Sequence, residues 1–202
     1  MDARGLLSLC EEVYYTADIV AGPKGRDGAR VYCVEGCRIL AFRGTLTEGE
    51  PAIADWLNDF HADFAADSRF PGCVHDGFLS SITALWPALL DLVQRQTIDK
   101  PLLITGHSKG GALAFLAAHL LAALNPCVVT FAAPKVGDAD FAADYAVSSV
   151  WRYENPGDIV PKLPPWRYVA VGSQIVAPAS FKHPEGVRAN HTIETGYKPW
   201  VT

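Results

Sequence analysis

Several absences narrow what this chain can be. No run of about 20 residues is continuously apolar, as a bilayer-crossing helix requires; Gly111–Leu124 is too short and carries His119. No Lys/Arg cluster stands out among 17 basic residues, and 22 acidic ones leave a formal net charge of -5. Nucleic acid needs a concentrated basic face and is not an expected partner. The five cysteines, Cys10, Cys33, Cys37, Cys73 and Cys127, are odd in number and lack the doublet spacing of a zinc site. No Gly-x-Gly-x-x-Gly follows a strand-like segment, so neither a metal nor an organic cofactor is expected. Reduced thiols are the plain expectation, although Cys33 and Cys37 straddle a hairpin turn and leave a local disulfide open in an exported chain. The opening MDARGLLSLCEEVYYTADIV has an acid at position two and glutamates within its apolar periodicity. It does not read as a signal peptide, which predicts a cytoplasmic protein unless a leader was removed.

Charged residues make up 19% of the 202 positions and hydrophobic ones 50%. That balance excludes a disordered chain and predicts one domain, residues 1–202, around a buried sheet. There is no internal repeat, low-complexity tract or linker. Leu6, Leu9, Cys10, Val13 and Ala17 recur at helical spacing. Residues 29–45 alternate and read as a hairpin turning near Glu35–Gly36, its second strand ending at Phe42. Ile53, Trp56, Leu57, Phe60 and Phe64 share one face of an amphipathic helix begun by Pro51. A longer helix, about Gly77 to Gln96, contains Pro87 and should bend there. Strand 102–105, helix 109–124 closed by Asn125-Pro126, and strand 127–133 form a βαβ unit. A short helix over 139–146, a strand over 149–154 and a strand or hairpin within 166–176 continue the alternation. The predicted architecture is α/β, a mostly parallel central sheet flanked by helices.

Gly106–Gly110, GHSKG, is a Gly-x-Ser-x-Gly pattern between a buried strand and a helix, the context that gives it meaning. To hold its hydroxyl above the sheet, Ser108 must take a positive φ in a very tight turn, leaving no room for side chains two positions either way. Gly106 and Gly110 supply that room. The helix starting at Lys109 turns free N–H groups toward the site, suited to a developing oxyanion. A plain N-cap serine is the competing reading, and the glycines in register favour the nucleophile. A serine hydroxyl needs a base and an orienting carboxylate, in the order Ser, acid, His for this kind of turn. His119, His183 and His191 lie downstream; His119 falls within the helix and points away, while spacing does not separate the other two. Asp138, Asp140 and Asp144 fall on or near a short helix, whereas Asp158 follows a strand, where α/β sites gather; Asp158 is favoured.

Separated segments now join these residues. AFRGT (41–45), DWLND (55–59), VHDGF (74–78), GHSKGGALA (106–114), TFAAPKVGD (130–138), NPGDIVPKLP (155–164) and HTIETGY (191–197) come in the order found in the class 3 lipases, the fungal-type family of α/β-hydrolases, which the chain resembles. GHSKGG is also similar to the related Mbeg1-like bacterial proteins. The resemblance implies Ser108 as nucleophile, Asp158 as acid and His191, rather than His183, as base. It implies an oxyanion hole of Thr45, through backbone N–H and hydroxyl, and the backbone N–H of Lys109, with Asp59 supporting the Thr45 hydroxyl. The segment between Thr45 and Asp59 corresponds to a small helical lid, which gives Ile53, Trp56 and Leu57 a covering role and implies transient contact with a lipid surface. His75 and His107 would hold loops by hydrogen bonds. The implied activity is hydrolysis of lipid or small esters through a Ser-His-Asp triad without cofactor; a phospholipase and a non-catalytic ligand-binding module are the alternatives. Two positions depart from the family, which usually has leucine at Lys109 and glycine at Ala132. The Lys109 side chain is expected to reach outward along its aliphatic stem with its ammonium wet or paired.

Overall fold

Asp2 starts the first helix, accepting a hydrogen bond from Gly5 N–H at 2.8 Å, as an N-cap should. This helix, α1 (Ala3–Thr16), buries Leu6, Leu7, Cys10 and Val13. The computed structural model describes residues 1–22, 25–34, 36–46, 63–95 and 100–202; the predicted helix bearing Ile53, Trp56 and Leu57, and Asp59 with it, lies outside them. After α1 come β1 (Ile19–Ala21), β2 (Asp27–Val34) and β3 (Cys37–Phe42), an antiparallel meander. Its register sets Cys33 opposite Arg38 and Val34 opposite Cys37. Neighbouring residues of a strand face opposite ways, so Cys33 and Cys37 point to different faces of the hairpin. The local disulfide left open by the sequence is thereby excluded, and neither cysteine is in a disulfide.

A two-stranded antiparallel pair, β4 (Phe64–Ala66) and β5 (Cys73–His75), leads into α2 (Asp76–Arg95). The helix carries Pro87 internally and buries Phe78, Ile82, Leu85, Leu89 and Val93, the face the periodicity predicts. The remaining elements are β6 (Leu102–His107), α3 (Lys109–Leu120), β7 (Cys127–Phe131), α4 (Ala139–Ala143), β8 (Val150–Glu154), β9 (Ser173–Val176) and α5 (Val187–His191). Helix α3 stops four residues earlier than predicted: a 3-10 turn, Ala122–Leu124, follows, and Asn125 closes it at φ 47. Of the predicted strand within 166–176, Ser173–Val176 joins the sheet, while Val169 makes one isolated bridge to Gly137.

The main sheet runs β1-β2-β3-β6-β7-β8-β9, with β3 to β9 mutually parallel. This is the α/β-hydrolase architecture. Because strand side chains alternate, each strand feeds two cores: Leu40, Ile104 and Val128 meet α2 and α3 on one face, while Ile39, Val129 and Phe131 meet α1 and Tyr197 on the other. Gly110 through Ala118 of α3 are all buried, so this helix is the inner wall rather than a surface layer.

The small residues at the start of α3 let it close on the strand ends. A Cβ on Gly106 would overlap the Gly110 carbonyl group, and one on Gly110 would overlap the Phe42 carbonyl oxygen and come within 2.9 Å of Arg43 C. Backbone atoms have nowhere to retreat in a packed interior. Gly110→Ala is therefore expected to destabilise the protein by about 3 kcal/mol or more, measured as a lower urea midpoint; an unchanged midpoint would show that the helix does not need this approach.

Candidate active site

Strand β6 runs straight into a reversal at Ser108, which has φ 57 and ψ -129 and donates its N–H to Phe131 O at 2.9 Å. Non-glycine residues pay for positive φ, and here the strain lifts the side chain off the sheet. The hydroxyl meets His191, whose Nε2 lies 2.9 Å from Ser108 Oγ. His191 Nδ1 lies 2.9 Å from Asp158 Oδ2. A carboxylate only accepts, so Nδ1 carries the proton and Nε2 is left to take the serine's. All three side chains are buried. They come from three places: the end of β6, the loop after β8, and the end of α5.

Asp158 is held from several sides. Val160 N–H donates to Oδ1 at 2.9 Å and the Tyr197 hydroxyl donates to Oδ2 at 2.8 Å. Burial, and then the Asp158 charge, raise the Tyr197 pKa well above the ordinary value, so this phenol stays a donor. Asn155 N–H in turn reaches Tyr197 Oη at 3.3 Å. Tyr197 was not singled out from the sequence, although it ends the segment that begins at His191. His183 does not enter the relay. Its loop is tied to α5 by Asn190, which accepts from His183 N–H at 2.7 Å and donates to His183 O at 2.9 Å and Gly186 O at 2.7 Å, thereby setting where the next residue, His191, points.

The two residues expected to donate to an oxyanion, Thr45 and Lys109, lie on two chain segments pressed together. Lys109 is the first residue of α3, and its N–H has no acceptor within the helix. Gly44 packs against Tyr14 Oη and against His107 O at the elbow, which carries Thr45 alongside. Thr45 Oγ1 is buried and has no hydrogen-bond partner among the described residues; its implied support, Asp59, lies outside them. The Lys109 ammonium is paired rather than wet, 2.6 Å from Asp27 Oδ1. Ala132 takes φ 56, so it keeps a left-handed backbone where the resembled family has glycine.

His107 holds the elbow from behind, as the resemblance implies. Its Nε2 lies 2.8 Å from His191 O and its Nδ1 3.0 Å from Tyr14 Oη. Since a carbonyl only accepts, Nε2–H donates to it and Nδ1 accepts from Tyr14. Burial first, and the nearby His191 second, push the His107 pKa down to about 3. A base whose folded pKa is depressed contributes its full stability above its ordinary pKa of about 6.5 and loses it as pH falls from there towards 3. Unfolding free energy should thus decline on acidification across that window, with this one group supplying up to about 1.4 kcal/mol per pH unit. Nitrogen-15 NMR should show the neutral ring, protonated at Nε2, still present at pH 5; a midpoint near 6.5 would contradict the assignment.

A family model described as Lipase (class 3) matches residues 39–168. A Caenorhabditis elegans lipase is 33% identical over 134 residues, covering 62% of this chain and 37% of its own. Phospholipase A1-II 4 of Oryza sativa subsp. japonica is 34% identical over 175 residues, covering 68% and 42%. The chain thus spans less than half the length of these curated relatives. Among solved structures, the native Rhizomucor miehei lipase propeptide complex is 25% identical with a TM-score of 0.69, covering 85% of this chain and 66% of that one. No described helix is long and apolar enough to cross a membrane. Since the matched span includes both the elbow serine and Asp158 and takes in well over half of the sequence, the chain belongs to the class 3 lipase family.

Proposed function

We propose that the chain is a serine carboxylic-ester hydrolase acting on acyl esters of lipids. The observation that carries this reading is the unbroken relay from Ser108 Oγ through both nitrogens of His191 to Asp158, at 2.9 Å and 2.9 Å. Ser108 Oγ attacks the ester carbonyl as its proton passes to His191 Nε2. Asp158 holds the imidazole tautomer and stabilises the imidazolium that forms. The carbonyl oxygen, now negative, is received by the N–H groups of Lys109 and Thr45 and by the Thr45 hydroxyl, each donor worth about 3 kcal/mol of barrier. The imidazolium returns its proton to the leaving alkoxide, and the alcohol departs. Water, deprotonated by the same histidine, then cleaves the acyl-enzyme.

Two features support a lipid substrate over a small soluble ester. One is the family itself, whose matched relatives include proteins named lipase and phospholipase A1. The other is the apolar face of Ile53, Trp56 and Leu57 in the sequence between Thr45 and Asp59, read as a lid that meets a lipid surface. The phospholipase relative makes a phospholipid acyl ester the second reading.

A fluorophosphonate probe should label the purified protein once, at Ser108, and p-nitrophenyl esters of graded length should be hydrolysed with a preference for longer acyl chains. Ser108→Ala should remove labelling and lower hydrolysis on the order of 10⁴-fold or more; hydrolysis surviving unchanged would sink the mechanism. Asp158→Asn should reduce kcat by roughly 10³ to 10⁴, since the histidine tautomer is then lost. A wild-type chain that takes no label and cleaves no ester would favour a binding module.

A further inference from the structure

Lys109 offers its N–H to the oxyanion on the reading above, and its ammonium to something else. The side chain turns back to Asp27, the first residue of β2, with Nζ 2.6 Å from Oδ1. Asp27 is 4% exposed, and the side chains of the pair are 21% and 5% exposed. A carboxylate this deep is costly to hold without a cation, and so, without an anion, is the ammonium of a lysine whose side chain is four-fifths buried. Neither group can keep its place alone, and neither hydrogen bonds to the relay among the described residues.

The surroundings of Asp27 lead to the other half of the oxyanion site. Gly22, at φ 77, lies so close that a Cβ there would come within 2.6 Å of Asp27 Oδ2. On the other side is Arg43, whose guanidinium packs over Gly28, where a Cβ would lie 3.0 Å from Arg43 Cζ. Arg43 N–H donates to Gly28 O at 2.8 Å and its guanidinium donates to Gly25 O. Burial lowers the Arg43 pKa and the Asp27 charge opposes that change, as expected of an anion nearby. Arg43 stands two residues before Thr45. Asp27 therefore pairs with the Lys109 ammonium of the helix segment, while its strand neighbour Gly28 accepts the backbone N–H of Arg43 in the strand-end segment, whose guanidinium feels the Asp27 charge. On the reading above both segments carry oxyanion donors.

We infer that Asp27 is a positioning residue for the oxyanion site: its ion pair with Lys109, beside Arg43, fixes the two donor-bearing segments against each other and keeps the Lys109 ammonium turned away from the reacting carbonyl. The inference rests on the hydrolase reading. It also gives a reason for the lysine at a position where the resembled family usually has leucine. A leucine needs no partner; a lysine here needs one, and β2 supplies it.

The test is a cycle of Asp27→Asn, Lys109→Met and the double variant in the full chain, with kcat and KM for p-nitrophenyl butyrate, serines counted by fluorophosphonate titration, and the inhibition constant of an alkyl boronic acid, which adds to Ser108 as a tetrahedral anion. Asp27→Asn should lower kcat per titrated serine at least tenfold with KM within twofold. Boronate affinity should fall in parallel, because donors aimed at the tetrahedral oxygen have moved. In the Lys109→Met background the same substitution should cost less than threefold. Asp27→Glu, which keeps the charge, should retain at least a third of the activity and stands in should Asp27→Asn not fold. A loss explained wholly by fewer titratable serines, an unchanged boronate constant, an equal loss in both backgrounds, or an Asp27→Glu variant as inactive as one without the charge would overturn the inference alone. A wild-type chain that neither hydrolyses ester nor takes label would overturn the hydrolase reading and the inference with it.

Discussion

Helix α3 meets the ends of β3 and β6 across a gap too small for any side chain. Gly106 faces the Gly110 carbonyl and Gly110 faces that of Phe42, so backbone lies directly on backbone. The rest of the site follows from that contact. It forces the chain to reverse within one residue, which gives Ser108 its φ of 57 and turns its hydroxyl out of the sheet. It starts the helix immediately after that serine, so that the first helical N–H, which has no acceptor within the helix, belongs to the next residue, Lys109. And it brings residues 42–44, just before Thr45, against the elbow, so that on the proposed reading nucleophile and oxyanion donors are placed by one packing contact rather than several. Ala132, at φ 56 on the next strand end, accepts comparable backbone strain nearby.

Around this contact the polar groups are arranged so that few charges are buried and each is answered. Asp158 accepts from His191, Val160 and Tyr197, which replace the water it has lost. Tyr197 and His107 are neutral partners, a phenol kept protonated and an imidazole kept deprotonated by burial. They orient the relay without adding charge that would compete with the transient imidazolium. Lys109 is the exception, a cation inserted into the elbow, and its charge is met by Asp27 at 2.6 Å. On the proposed reading, the result is a preorganised low-dielectric site in which donors need not reorient when charge develops.

What the sequence disclosed, and what it hid, follows from the range of each interaction. The elbow was legible because its constraints are local: two glycines flanking Ser108, a strand before and a helix after. The apolar face of α2 was legible for the same reason. Asp158 could be favoured because a residue following a strand lands at the sheet's carboxyl edge. His183 and His191 could not be separated by spacing, since the choice depends on Asn190 folding the 183–186 loop back onto α5. Tyr14 and Asp27 left no local trace. Their partners His107 and Lys109 are 93 and 82 positions away, and only the order of strands in the sheet brings them near. The Cys33–Cys37 pairing failed on a matter of parity, for a register of Cys33 with Arg38 sends the two thiols to opposite faces. The family resemblance supplied what local pattern could not, the choice of His191 and the pairing of Thr45 with the elbow.

The most direct measurement of the central claim is a crystal structure of the protein after reaction with an alkyl phosphonate ester, which leaves a tetrahedral phosphorus with an anionic oxygen in place of the carbonyl. The expected result is a bond from phosphorus to Ser108 Oγ, with that oxygen within about 3 Å of the backbone N–H groups of Thr45 and Lys109, and His191 still bonded to Asp158. An adduct on another residue, or an oxygen turned away from both N–H groups, would contradict the view that the close seat of α3 on the strand ends builds the reaction centre.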